Sequence, residues 1–417
     1  MKAKYSVILL LFTIVLSCLF TSCGKDRWEL YKPITAHALW IDSVMRVNYL
    51  WNDEMQDDDD LTSAYFLNSV AFLAKVKYSS DQVSFVDTAC SVPIYEYGYQ
   101  LSAIQVSDTA MMAIITYIEP SSVVASAGLQ RGEWIMAVDD QLITSETMDL
   151  LSDGEAHELT IGHYSTLSIY DEDLEEEVEQ EVIIYDRMVS LPKPTGYYVD
   201  ELPVVKVVND KVGYMLYNNI AESNQQKVAA ASQSMSASGI TDMVLDLRYA
   251  ATGDVNGFQY LASIMAPASA LGGVLATAQY AESRHMDGAI NFLTSNELQN
   301  GVNLNLNTLY VLTSTSTAGP AEMLINCLKT VMNVVVVGQQ TKGIGVACET
   351  FDDTVSDQRL YLAACHITDA NNNADYVGTG FNPDYSANPL SPVSGIQPFG
   401  DPDENLLSTA LEVINNE

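Results

Sequence analysis

A chain of 417 residues is too long for one hydrophobic core and calls for two or three domains. Apolar residues make up 48% and charged residues 18%, the balance of an ordinary globular protein. The formal charge of −35 argues against nucleic acid or an anionic membrane surface as a binding partner, and otherwise fits a solvated acidic surface that keeps the chain soluble.

At the amino terminus, Lys2 and Lys4 precede an apolar run from Tyr5 to Phe20, which ends in Phe20-Thr21-Ser22-Cys23-Gly24. This resembles a lipoprotein signal, in which the Cys after small residues is lipidated and becomes the new first residue. Residues 1–22 are then the signal peptide, and Cys23 tethers the mature protein to the cell envelope, at the outer membrane or its periplasmic face. A plain signal peptide or an uncleaved anchor is the alternative, and Phe20 stands where Leu is usual. Export leaves Cys90, Cys327, Cys348 and Cys365 in an oxidising compartment. A Cys348–Cys365 disulfide and inert buried thiols are both open readings. Neither CxxC nor HExxH occurs, so no metal site or other cofactor is expected.

Residues 23–90 read as helical. Leu39, Ile41, Val44, Met45, Val47 and Leu50 recur at helical spacing, an acidic loop follows at Asp57 to Asp60, and a second helix runs through Leu67, Val70, Phe72 and Leu73. Residues 91–191 read as β-rich. They carry Tyr97-Gly98-Tyr99, then Ile118-Glu119-Pro120-Ser121-Ser122, then the block from Ala127 to Ile135 (AGLQRGEWI) and the turn Asp139-Asp140. These blocks resemble a PDZ domain. The resemblance implies that an incoming chain end adds as a strand to a sheet edge, with the amides of the Tyr97–Tyr99 loop on its carboxylate and a helix around Thr147 to Leu151 as the other wall. Gly98 as a simple turn glycine is the plainer reading. Asp171 to Glu181 holds eight carboxylates in eleven residues and reads as a solvated hairpin tip, with calcium the sharper alternative although EF-hand spacing is absent.

Residues 192–417 alternate strands and helices. Lys206–Val208 and Val212–Tyr217 form a hairpin, Lys227 to Ser238 a helix, and Met243 to Arg248 a buried strand. Leu309 to Thr313 and Val334 to Val337 are apolar strands on either side of a helix from Ala321 to Thr330, which makes a βαβ unit. Gly345 to Phe351 and Leu360 to Ile367 pair as a hairpin around Asp352 to Asp357, and Glu404 to Ile414 is an amphipathic helix.

The βαβ unit resembles that of the C-terminal processing, or tail-specific, serine peptidases. In that family TASASE opens the helix with its first Ser as nucleophile, and TFGKG closes the second strand with its Lys as general base, twenty-five residues on. A Lys desolvated in an apolar pocket loses its proton near neutral pH and takes one from the serine. Thr317, Ala318 and Glu322 match TASASE, and Thr341, Gly343 and Gly345 match TFGKG. The nucleophile's place holds Gly319, the base's place Ile344, and the place of a family Gln four residues on holds Cys348. Pro320 follows Gly319 and has no N–H to give an oxyanion. The family's DLRxNxGG, which completes the oxyanion hole, reads here from Asp246 to Gly253 with Ala250 for Asn and Thr252 for the first Gly. Tyr49-Leu50-Trp51 and the run from Tyr376 to Asp384 also match family motifs.

The resemblance implies a multidomain α/β protein: a helical N-terminal region, a PDZ-like β-rich domain, and an α/β peptidase-like domain with a βαβ core. It implies a peptidase scaffold without its chemistry, binding peptides or protein C-termini and anchored to the membrane through its N-terminal lipid. The alternative is an active endopeptidase using a displaced pair, Ser316 and Lys342. Their spacing of twenty-six is close to the family's. But two residues of extended chain move the amine by about 6.6 Å, and proton transfer needs about 3 Å.

Overall fold

The computed structural model describes residues 28–56, 61–88, 93–105, 111–171, 176–286, 288–353 and 358–416. Cys23, Cys90, the acidic loop 57–60, the hairpin tip 172–175 and the turn 354–357 lie outside the described residues.

Two helices come first among the described residues, α1 (Trp28–Asn48) and α2 (Ser69–Val76), the second capped by Asn68, whose side chain accepts from Ala71 N–H at 2.9 Å. Their apolar faces, with Ala38, Ile41, Met45, Phe72 and Leu73, pack on Leu360, Leu362 and Ala363 of a distant strand. A short strand, β1 (Phe85–Asp87), then joins that same distant sheet.

The β-rich module comprises β2 (Tyr99–Gln105), β3 (Met111–Ile118), the short helix α3 (Val123–Ser126), β4 (Trp134–Val138), β5 (Gln141–Leu142), β6 (His157–Asp171) and β7 (Glu176–Leu191). Its antiparallel sheet runs β2-β3-β4-β6-β7, with β5 beside β4 and β2 at one end. Asp139 and Asp140 sit at φ 48° and 60° in the tight turn expected between β4 and β5. The expected helix at Thr147–Leu151 is one 3₁₀ turn, Met148–Leu151, because Thr147 turns back to bind Thr144 N–H through its hydroxyl.

The last module contains β8 (Val204–Val208), β9 (Val212–Leu216), β10 (Asn219–Ile220), α4 (Gln225–Ala237), β11 (Asp242–Asp246), β12 (Thr252–Gly253) and α5 (Val255–Met265). After these come β13 (Val274–Tyr280), β14 (Gly288–Asn291), β15 (Thr308–Thr313), α6 (Pro320–Leu328), β16 (Asn333–Gly338), β17 (Val346–Asp353), β18 (Gln358–Asp369), β19 (Tyr385–Ser386) and α7 (Asn405–Asn416). One sheet has the order β19-β16-β15-β11-β9-β8, parallel except for the β8–β9 hairpin. Helices α4, α5 and α6 bury one of its faces, and Leu406, Leu407, Ala410 and Leu411 of α7 bury the other. The second sheet, antiparallel, is β1-β18-β13-β14 with β17 on β18. Burying both faces explains why the parallel strands are continuous apolar runs in the sequence.

A buried ion cluster joins the β-rich module to this one. Arg248 spans Asp246 and Glu404, and Arg131 reaches the same Glu404 carboxylate at 3.2 Å, with Phe399 beneath both guanidiniums. Gly132 lies so close to Ile396 that an added Cβ would sit 1.9 Å from its carbonyl oxygen. The two modules are therefore fixed against each other.

Candidate functional site

Strand β15 delivers its chain into a tight loop, Ser314 to Ala318, two of whose four hydroxyls are committed to structure. Ser314 donates to the Arg248 carbonyl at 2.5 Å, and Thr317 donates to the Leu247 carbonyl at 2.9 Å. Gly319 then caps α6 at φ 54°, ψ −117°, a backbone conformation that favours glycine. A Cβ added there would meet only the Ala251 carbonyl oxygen, at 3.6 Å. So the turn leaves room for a first side-chain atom there, in ordinary van der Waals contact with that oxygen.

Glu322, in the first turn of α6 and fully buried, organises what faces that position. Its Oε2 accepts from Gly319 N–H at 3.0 Å and Ile344 N–H at 2.8 Å; its Oε1 accepts from Gly343 N–H at 2.5 Å and from the Thr341 hydroxyl. The 376–384 segment closes behind: Gly378 N–H donates to Gly343 O at 2.8 Å, and Phe381 N–H to the Thr341 hydroxyl at 2.8 Å. Thus Gly319 and Ile344, twenty-five residues apart, meet around one carboxylate.

The cleft beside Gly319 is nearly closed. Val83, Phe85, Ala251, Thr252, Gly253, Gly319, Pro320, Val346, Cys348 and Tyr361 surround about 20 Å³, room for a single water. None of these carries an amine, imidazole or carboxylate. Phe85, brought in by β1, stacks on Tyr361 with ring centroids 4.4 Å apart. Burial pushes the Cys348 thiol well above its usual range, so it is no ready nucleophile. None of Cys327, Cys348 and Cys365 forms a disulfide, so the possible Cys348–Cys365 bond is not made: Cys365 lies opposite Ala347, and Cys348 opposite Ala363.

Ser316 and Lys342 are both exposed. Lys342 N–H holds Thr317 O at 3.1 Å, but no hydrogen bond joins the Ser316 hydroxyl to the Lys342 amine. Thr252 lies in β12 beside β10, and Ala250 is buried, its carbonyl accepting from Ala318 N–H at 2.9 Å.

Tyr97, Gly98 and Tyr99 do line a groove, with Leu101, Met148 and Leu151, of about 480 Å³. The two Tyr rings stack, Tyr99 donates to Leu151 O at 2.6 Å, and Tyr97 donates to Asp153 at 3.0 Å. Behind Asp153, His157 places one nitrogen on Asp153 and the other on Asp139, at 2.9 and 2.7 Å. Burial alone would push the His157 pKa down, but the two carboxylates outweigh it and raise it. Gly98, at φ 87°, also has a packing reason, since a Cβ there would lie 2.3 Å from Ser122 Cβ.

Sequence reasoning misses the role of Glu322 and the aromatic closure by Phe85. A Glu three residues after a helix cap is a visible signal for the first; the second depends on a pairing between strands far apart in the chain.

Comparison with known proteins gives two family matches: peptidase family S41 over residues 211–387, and the peptidase S41 N-terminal domain over residues 37–85. The fold resembles a crystal structure from Bacteroides fragilis NCTC 9343 assigned as an S41 protease, with 32% identity, 90% of this chain and 97% of that one covered, and a TM-score of 0.77. Weaker likenesses include the photosystem II D1 C-terminal processing protease (14% identity, 85% and 93% covered, TM-score 0.42). Mature CPAF is similar at 12% identity, with 92% and 98% covered and a TM-score of 0.41. No curated protein matches the chain.

Proposed function

The chain belongs to peptidase family S41, and from that membership we propose that it is a lipid-anchored envelope protein that keeps the peptidase scaffold, hydrolyses no peptide bond, and binds extended peptides or protein C-termini. The observation that carries this reading is the chemistry around Gly319. Gly319 has only a hydrogen at the nucleophile's place, and Ile344, whose backbone N–H shares the Glu322 carboxylate with Gly319 N–H, has a hydrocarbon side chain at the base's place. Pro320 withholds one oxyanion donor by its chemistry, and the residues lining the remaining space carry no amine, imidazole or carboxylate.

Binding then falls to the Tyr97–Tyr99 groove, whose PDZ-like character rests on the sequence blocks from Tyr97 to Ile135. Strand β2 ends its sheet and has a backbone edge to offer an added strand. Anchoring rests on the lipoprotein-like segment ending at Cys23; no helix among the described residues is long and apolar enough to cross a membrane.

A fluorescent peptide library with apolar C-terminal residues tests the binding reading. Leu101→Glu, which puts a charge in the groove, should weaken the best peptide at least tenfold with the fold intact. Gly98→Trp would instead disturb the Ser122 contact and cannot separate binding from folding. A library in which no peptide binds the native chain rejects the reading.

A further inference from the structure

Helices α1 and α2 share an apolar surface on the side away from their core. Leu30, Tyr31 and Ile34 open α1 along one stripe, and Phe66, Leu67 and Val70 lie next to it, for Tyr31 and Phe66 meet edge to face with centroids 5.5 Å apart. Ile34, Phe66, Leu67 and Val70 line one open groove of about 750 Å³. Leu30 is 70% exposed, Ile34 56%, Val70 54% and Phe66 50%, while Ala38, Ile41, Phe72 and Leu73 on the inner faces are buried. Apolar patches of this kind mark surfaces that meet something else.

What they meet follows from the chain outside the structure. Trp28, the first residue of α1, comes five residues after Cys23. An extended chain covers at most about 3.3–3.6 Å per residue, so the helix begins within roughly 18 Å of an acylated Cys23. Charge agrees with this placement. From Gly24 to Ile34 the chain carries Lys25, Arg27 and Lys32 against Asp26 and Glu29, a balance slightly positive where the whole chain stands at −35, so this stretch is not repelled by a lipid surface as the rest is. A tether this short makes docking effectively intramolecular, and modest affinity suffices.

We propose that the Leu30–Ile34 and Phe66–Val70 patch seats on the bilayer surface beside the acyl anchor, so that the protein lies on the membrane in one orientation. This rests on the lipid anchor proposed above, and the test separates the two. The full chain, acylated in vivo, is reconstituted in phosphatidylcholine–phosphatidylethanolamine liposomes with brominated acyl chains. It carries a bimane label at Val70→Cys or, as control, at Leu142→Cys, which is 64% exposed in the β-rich module; the parent chain without either Cys sets the background.

Brominated lipid should quench the Val70 label at least twofold and leave the Leu142 label unchanged. In the Leu30→Glu, Ile34→Glu, Phe66→Glu background the quenching should vanish while the N-terminal peptide keeps its acyl mass. A Val70 label quenched no more than the Leu142 label on acylated protein overturns the patch and spares the anchor. A blue-shifted but unquenched Val70 label would mean that protein, a second copy or the uncleaved N-terminal segment, covers the patch, and also overturns it. Quenching that survives the triple charge does the same. Absence of acyl mass on Cys23 overturns the anchor and this inference with it.

Discussion

The backbone N–H groups of Gly319 and Ile344 donate to one and the same oxygen, Glu322 Oε2, at 3.0 and 2.8 Å. This holds the two backbone positions together. In a serine–lysine peptidase a hydroxyl and an amine at such positions would exchange a proton. Here neither residue carries a side chain that can exchange a proton, and what remains is a structural clamp in which one buried carboxylate satisfies four donors.

The clamp should therefore contribute measurably to stability. Glu322→Ala would leave three buried N–H groups and the Thr341 hydroxyl without this acceptor, at about 1–3 kcal/mol for each group left unpaired. A loss of at least about 3 kcal/mol in urea unfolding is expected. A change under about 0.5 kcal/mol would show that the clamp does not form.

Rebuilding the dyad is the constructive counterpart. The open space at Gly319 accepts a Ser side chain, although φ 54° with ψ −117° strains any residue with a Cβ, by about 1–3 kcal/mol. Gly319→Ser with Pro320→Ala and Ile344→Lys should give weak labelling by a serine-reactive phosphonate and weak peptide hydrolysis. On the proposed reading Ala250 and Thr252 still leave the other oxyanion side without its donor, and one missing donor costs about 10²–10³ in rate. Gly319→Ser alone should stay silent; strong activity from that single change would contradict the placement of the base.

Much of this arrangement is legible in the sequence, and the reason is local. The β15–α6–β16 unit announces itself because both strands are buried on two faces and so cannot alternate, and because the loop residues Thr317 and Glu322 each bind backbone within reach of the turn. The 3₁₀ turn at Met148–Leu151 reads as a helix in the sequence, since apolar spacing over four residues cannot tell the two apart. The Phe85–Tyr361 stack and the Arg131–Glu404 pair join residues more than 250 positions apart, and no local pattern encodes them. The exposed apolar side of α1 is also hidden, because hydrophobic periodicity marks apolar residues without saying which of them stay uncovered.

A pH dependence follows from Glu119, which follows β3 and meets Asp200 in the segment between β7 and β8. Burial pushes its pKa up from 4.5 to about 7, despite the Asp200 N–H that donates to it at 2.7 Å. A carboxyl raised in the folded state adds stability that is full below 4.5 and is lost as pH rises to about 7. Glu119→Gln should remove that component. The difference in urea midpoint between variant and native chain should therefore shift in the variant's favour from pH 4.5 to pH 7.5. A difference that stays constant over the range would mean that Glu119 titrates like an exposed carboxylate.

The most direct measurement incubates the purified mature protein with unfolded casein and follows intact masses over a day. A scaffold without nucleophile or base should release no new fragment as the native chain, and none as Ser316→Ala or Lys342→Ala. Fragments that appear with the native chain and disappear in either variant would contradict the inactive assignment, and would make the exposed Ser316 and Lys342 a working pair.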